Sequence, residues 1–378
     1  MARCGVAARD AGGASGGGAR AADFVEQCLL QANPVLEAFG NAKTVRNGNS
    51  SRFGKWTEIQ LDASGFIAAS RITSYLLEKS RVAEHAAGER NYHVLYQLCA
   101  GCAPAERAAL QLLPAADFRY LGESARVRVP GVDDAADWSV TSVALHGFVT
   151  SEDEMAQVRR VLAAVLHLGN LHFTPVLLAS QDDGSAADAA SAPRLASAAA
   201  LLGLDGGALA AALTVKSVGK FPVVQVPQPP PKAAAARDAL AKTLYGALFG
   251  WVLSRINRQM AAPSSSMWEA KRTIGLLDIF GFESFARNSL EQRAGSSEGR
   301  EVGRPRANID TNEAYKMKYT KLVLSIVLVL LIFAPAQTGG IDLIGEKCGT
   351  ADPLQLCDPP FIVCSGTKCK HKTVFPLE

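Results

Sequence analysis

Several common signals are missing from this sequence. No Gly-x-x-x-x-Gly-Lys-Ser/Thr phosphate loop occurs, because Gly-Lys stands only at Gly54-Lys55 and Gly219-Lys220, followed by Trp56 and Phe221. The glycine cluster from Gly12 to Gly18 lacks the Lys-Ser/Thr pair such a loop needs, and residues 1–23 read instead as a disordered Gly/Ala-rich leader. That leader is no signal peptide: Arg3, Arg9 and Arg20 are scattered among Ala and Gly with no apolar core segment. Charge excess is absent too. A net charge of +3 excludes a strongly basic nucleic-acid surface and an acidic solvating tail, so no nucleic-acid partner is expected. Long hydrophobic runs are also lacking: Leu322 to Phe333 is apolar except for Ser325 and extends to Ala336, short of the roughly twenty residues a spanning helix needs.

Cysteine is missing from the middle of the chain. Cys4, Cys28, Cys99 and Cys102 precede the gap, and Cys348, Cys357, Cys364 and Cys369 crowd the C-terminal end. The body therefore reads as reducing and intracellular, and the tail as a region of different composition. Cys99-Ala100-Gly101-Cys102 has the spacing of half a redox or zinc site but no second pair nearby, so a structural role is expected. Cys364, Cys369 and His371 are too irregularly spaced to read as more than a weak zinc signal.

With 48% hydrophobic and 20% charged residues in 378, the chain is globular and long enough for two or three domains or for part of one large one. Asp23 can cap a helix carrying Phe24, Val25, Cys28 and Leu29; Asn33-Pro34 reads as a fresh cap with a first-turn proline, and Gly40 as a stop. Alternation then takes over. Trp56, Glu58 and Gln60 fall on one face and Thr57, Ile59 and Leu61 on the other, Asp62-Ala63-Ser64-Gly65 turns the chain, and Phe66 to Leu77 returns as the second arm of a hairpin. Ser151-Glu152-Asp153-Glu154 forms a capping box ahead of a helix with Met155, Val158, Leu162, Val165 and Leu166 on one face, closed by Gly169. His85, His93, His167 and His172 have no partner at ligand spacing and are assigned structural roles. Residues 179–200 read as a surface loop, and the prolines from Pro227 to Pro231 as a stiff lead into a helix over 237–260. The apolar run Thr273 to Phe280, carrying Asp278, fits a buried parallel strand that delivers this carboxylate to its carboxyl edge, where ligands bind in open α/β sheets.

The densest chemistry lies in Asn47-Gly48-Asn49-Ser50-Ser51-Arg52-Phe53-Gly54-Lys55, between a short helix and a strand. Amides can donate to phosphate oxygens, hydroxyls can ligate Mg²⁺, and glycines let the backbone come close. A polar turn is the alternative for any Asn/Ser-rich loop. The wording of the run Asn33 to Lys55 resembles the switch I region of the myosin motor, and Asp278-Ile279-Phe280-Gly281-Phe282-Glu283 resembles its switch II. The runs Leu76 to Val82, Gly88 to Leu98 and Leu166 to Asn170 resemble the upper domain of the same family. The resemblance covers residues 24–292 and then stops; 293–320 reads as a polar linker, and 321–378 as an unrelated tail.

The resemblance implies an α/β fold, a partial P-loop-NTPase-like myosin head made mostly of upper-domain helices with part of the central sheet. It implies ATP and Mg²⁺ as cofactors, actin filaments as partner and a cytoplasmic, cytoskeletal location. By the same resemblance Asn47 and Asn49 contact the nucleotide, Ser50 reaches the γ-phosphate and the attacking water, and Ser51 ligates Mg²⁺. Asp278 would hold the ion through water, Gly281 would offer its amide to the γ-phosphate, and Arg52 and Glu283 would pair to close the site. The sequence departs from the pattern at Gly48, at Trp56, where phenylalanine is usual, and in the phosphate loop expected before Asn33. The chain as written is therefore expected to hydrolyse ATP poorly. The rival expectation is a non-catalytic interaction module derived from a motor, tethered to a membrane through 322–336, before which Lys316, Lys318 and Lys321 would mark the cytoplasmic side.

Overall fold

In the computed structural model the described residues are 17–122, 129–177, 183–219, 224–261 and 272–278, together with three short strands in the tail. The chain divides into two units, 1–333 and 334–378. In the second, strands Leu356–Cys357, Ile362–Ser365 and Lys368–Lys370 form an antiparallel sheet in which Cys364 pairs with Cys369 along the backbone. The segment 322–336 and His371 lie outside the described residues. Among the described residues no single helix is long and apolar enough to cross a membrane.

The first unit opens with α1, Gly17–Gly40, one continuous helix. This corrects two expectations: the helix begins within the stretch read as leader, and Asn33-Pro34 does not start a second helix. Pro34 removes the donor that Leu30 C=O would have used, but Leu30 is 63% exposed, so water can reach that carbonyl. The opposite face, with Cys28, Val35 and Phe39, enters the core. Gly40 is required for packing, since a Cβ there would come within 2.2 Å of the Phe53 ring.

The hairpin forms as the alternation predicts. Strands β3, Gly54–Leu61, and β4, Ile67–Tyr75, pair antiparallel with Gly54 opposite Tyr75 and a register irregularity between Gln60 and Leu61. Asp62 closes the turn by accepting from the amides of Ser64 and Phe66, and Gly65 takes φ +86°. The third strand, Arg272–Asp278, pairs with β3 antiparallel, Lys55 opposite Asp278, and every one of its residues is exposed. The expectation of a buried parallel strand is thus overturned: a short apolar run reports that a strand forms, but carries no information on direction or on what covers it. Trp56 finds its room here, because a Cβ on Gly275 would lie 2.1 Å from the indole ring.

Helices build the rest. They are α2, His93–Gly101; α3, Pro104–Ala109; α4, Asp134–Phe148; α5, Glu152–Gly169; α6, Ala192–Leu202; α7, Gly206–Thr214; and α8, Pro230–Met260. The centre is α5, with Val158, Leu162, Val165 and Leu166 all fully buried, packed between α2, α6 and α8. Its N-cap Ser151 makes no side-chain cap bond, and Glu154 of the expected capping box is engaged by Arg255 of α8. The loop read at 179–200 holds a strand, Asp183–Ala187, a 3₁₀ turn and the start of α6: the Ala-rich composition that suggested a polar surface also has the highest helix propensity, and Gly203 in the left-handed region closes the helix. Of the prolines, Pro230 and Pro231 lie in the first turn of α8, where a proline loses no helical bond, Pro229 is its N-cap and Pro227 ends the strand Val224–Pro227.

β4 is held to this helical body by one amide. Asn257 of α8 accepts from the Ile72 N–H and donates to the Ile72 C=O, both at 2.8 Å, so both outward polar groups of Ile72 are paired.

Candidate functional site

The loop 43–53 leaves α1 through a two-residue strand β1, Asn41–Ala42, which pairs antiparallel with β2, Ser50–Ser51. Within this small Ω, Thr44 N–H donates to Asn47 C=O at 2.8 Å and Asn47 N–H to Thr44 Oγ1 at 3.2 Å. The Asn47 Oδ1 accepts from the Asn49 amide at 2.9 Å. That bond fixes the side chain by its oxygen and leaves the exposed Asn47 Nδ2 as the outward donor, the polarity an anionic phosphate needs.

Ser51 Oγ donates to Phe53 C=O at 3.0 Å. With its proton committed inward, the hydroxyl presents lone pairs, which is what a hard divalent cation takes. Both residues therefore fit the roles the resemblance implies.

Asn49 does not fit as simply. Its Oδ1 accepts from Asn41 Nδ2 at 3.0 Å and lies 3.2 Å from His93 Nε2, while its Nδ2 donates to Glu37 Oε2 at 3.1 Å. The expected nucleotide contact is here a clamp joining α1, β1 and α2. Burial, with Arg90 nearby, pushes His93 down to about 4, so the ring is neutral at pH 7. Beside this clamp a cavity of about 440 Å³ opens between α1 and α4, lined by Glu37, Asn49, His93 and Asp137 among others.

Arg52 is 3% exposed. Its Nε meets Glu78 Oε2 at 2.5 Å and one terminal nitrogen donates to Ser50 Oγ at 3.1 Å. Its expected partner Glu283, and Gly281, lie outside the described residues. Glu78 also takes Arg81, Nε to Oε2 at 3.0 Å, and Arg81 reaches Glu89 Oε2 at 2.9 Å. Burial works against the Arg81 charge, but Glu78 and Glu89 outweigh it and hold the guanidinium above its ordinary range.

Glu78, Arg81, Glu89 and His93 were not picked out as site residues from the sequence. The i,i+3 spacing of Glu78 and Arg81 on one short turn was a readable signal; the Glu89 and His93 contacts depend on how distant turns pack.

Asp278 stands at the C-terminal end of the third strand, opposite Lys55, with the Lys55 Nζ 3.4 Å from its Oδ2. Because this strand runs antiparallel to β3, its end reaches the same edge of the sheet as the Ser51–Phe53 turn. Asp278, the first residue of the second stretch singled out from the sequence, thus lies where the first stretch enters the sheet, some 220 residues away along the chain; the rest of the second stretch lies outside the described residues. The Lys55 ammonium thus occupies the surroundings of the Asp278 carboxylate.

The model of the myosin head (motor domain) matches residues 11–294, three quarters of the chain. The chain belongs to the myosin head family. Among its relatives it is 43% identical to unconventional myosin-Ic of Rattus norvegicus over 275 residues, covering 71% of this chain and 26% of that protein. It is 43% identical to Myosin-1 of Arabidopsis thaliana over 270 residues and 42% identical to myosin heavy chain IB of Acanthamoeba castellanii over 272, each match covering 71% of this chain and 22% of the relative. The chain thus spans about a quarter or less of the length of these myosins. The match extends a little beyond the 24–292 of the motif reading at both ends, and the helices and small antiparallel sheets are those of a partial α/β myosin head.

Cys99 and Cys102 are buried free thiols, each pushed up to about 12, first by desolvation. His167 is fully buried with Nε2 3.0 Å from Leu110 C=O. No group of three or more His, Cys, Asp or Glu able to hold a metal occurs among the described residues.

Proposed function

We propose that this chain carries the switch-loop side of the nucleotide site of an actin-based motor driven by Mg-ATP, working in the cytoplasm on the cytoskeleton. The observation that supports this best is the polarity of the 47–51 loop: Asn47 turned donor-outward and Ser51 turned lone-pair-outward, on the edge that Asp278 also reaches. Mg²⁺, when bound, would supply neutralisation of phosphate charge. Asn47 would donate to a phosphate oxygen, Ser51 would offer its oxygen to the cation, and Arg52, braced by Glu78 and bonded to Ser50, would keep that hydroxyl beside the reacting end of the nucleotide. This is positioning and electrostatics rather than covalent catalysis.

No Gly-x-x-x-x-Gly-Lys-Ser/Thr occurs in these 378 residues. On that ground the polypeptide as written binds Mg-ATP weakly and turns it over poorly. The same observation favours the second reading, an interaction module without turnover, tethered or not through 322–336.

A titration with a fluorescent ATP analogue, in Mg²⁺ and in EDTA, separates the two. The motor reading expects saturable, Mg²⁺-dependent binding that Asn47→Ala and Ser51→Ala weaken about tenfold, with folding intact; a charge-assisted hydrogen bond of ~1.5 kcal/mol corresponds to that factor. Absence of binding at millimolar nucleotide would leave the interaction module. Cosedimentation with actin filaments tests the partner.

A further inference from the structure

The structure assigns to Arg81 the positioning of the whole switch loop: one buried guanidinium fixes both ends of residues 45–52 through two carboxylates. This rests on the reading of that loop as the nucleotide switch, and it adds a residue outside the loop to the machinery.

The geometry is a fork. At the loop's C-terminal end, Arg52 Nε binds Glu78 Oε2 at 2.5 Å, and the Glu78 backbone N–H donates to Arg52 C=O at 3.0 Å. At its N-terminal end, the Val45 amide donates to Glu89 Oε1 at 3.4 Å. Arg81 joins the two carboxylates: Nε and one terminal nitrogen meet Glu78 at 3.0 and 3.3 Å, and the other terminal nitrogen meets Glu89 at 2.9 Å. That last nitrogen also donates to Arg90 C=O at 3.0 Å, while the Arg90 N–H donates to Lys43 C=O at 2.9 Å, just before the loop.

Burial makes this fork more than a set of surface contacts. The side chain of Arg81 is wholly buried, and those of Glu78 and Glu89 are 6% and 2% exposed, so none of the three charges can turn to solvent when the loop moves. A lysine cannot replace the fork. It presents one ammonium where the guanidinium presents two faces at a fixed angle. The 3₁₀ turn Lys79–Val82 that carries Arg81 packs on α8, so the loop is referred to the helical body rather than to the exposed third strand.

The test is hydrogen exchange, followed by mass spectrometry on the full 378-residue chain without nucleotide. Arg81→Lys is expected to speed exchange of the amides of 44–52 by about tenfold or more, the factor for one charge-assisted hydrogen bond, while α5 exchanges as in the parent. Glu89→Gln keeps the volume and an acceptor for Val45 but weakens the link to Arg81; it is expected to speed 44–47 and leave 50–52 unchanged. Should Arg81→Lys fail to fold, Glu89→Gln decides alone. Unchanged exchange at 44–47 in Glu89→Gln, or a rise in Arg81→Lys that α5 shares in proportion, overturns the assignment. Nucleotide binding by the parent chain is scored separately, so failure of the motor reading and failure of the Arg81 assignment give different results.

Discussion

Replacing Glu78 with alanine removes the carboxylate at the centre of the site and gives the sharpest energetic test. Its side chain is 6% exposed and is engaged by Arg52 and Arg81, whose side chains are 2% and 0% exposed. The loss leaves two buried guanidiniums with one carboxylate fewer, a change that costs about 3–5 kcal/mol. Glutamine keeps the volume and an acceptor but not the charge, and the weakened charge-assisted bonds put its cost at about 2 kcal/mol. Lys55→Ala is the control. It breaks the ion pair with Asp278, whose side chain is 64% exposed, and an exposed pair contributes less than about 1 kcal/mol. Urea unfolding followed by circular dichroism should show midpoints falling in the order Lys55→Ala, Glu78→Gln, Glu78→Ala, with a common slope. If Glu78→Ala lies within about 1 kcal/mol of the parent, the buried fork does not hold the loop and the argument fails.

Other expectations concern separate parts of the chain. His93 is held at about 4 against an ordinary 6.5, so the unfolded chain takes the proton first as pH falls; this contribution is complete above 6.5, is lost between 6.5 and 4, and amounts to about 3 kcal/mol. His93→Gln should therefore flatten the fall of the thermal midpoint between about pH 7 and pH 4.5, and an unchanged slope would contradict it. Cys99 and Cys102, both pushed up to about 12, should resist iodoacetamide in the native state at mildly alkaline pH, read by mass shift of their peptide; alkylation as fast as in urea would refute this. Gly169→Ala would set a Cβ 2.7–2.9 Å from three atoms of the Tyr120 ring, which is fixed by its hydroxyl bond to Asp238 at 2.6 Å. It should destabilise by about 1–3 kcal/mol in the same urea assay, and a neutral result would show that the ring can move.

The sequence was most legible where one local signal sufficed. Alternation and the Asp62–Gly65 turn defined the hairpin, and the 3.6-residue spacing of Met155 to Leu166 defined α5. The wording of 33–55 named the family. Legibility failed where tertiary packing decides. Asn49 has the chemistry of a phosphate ligand, yet Glu37, Asn41 and His93 take its side chain. An apolar run around Ile274 and Leu276 looks buried, yet the strand it forms is exposed on the sheet. Pro34 looks like a helix start, yet its missing donor falls on an exposed turn and the helix continues. Glu154 is placed for a capping box, yet Arg255 engages it from a helix a hundred residues away. For Asn49 and Glu154 the local preference was outweighed by side chains from other elements, and for Pro34 and the apolar run by exposure that the local sequence does not report.

The central claim is that residues 45–52 form a nucleotide-responsive switch. Arg46 makes this directly measurable, because it is exposed within the loop while Arg52 is buried beyond the reach of a protease or a reagent. Tryptic cleavage after Arg46 should slow when millimolar Mg-ATP is added, should not slow with ATP in EDTA, and should lose its response in Ser51→Ala. Cleavage at one rate under all these conditions would contradict the account.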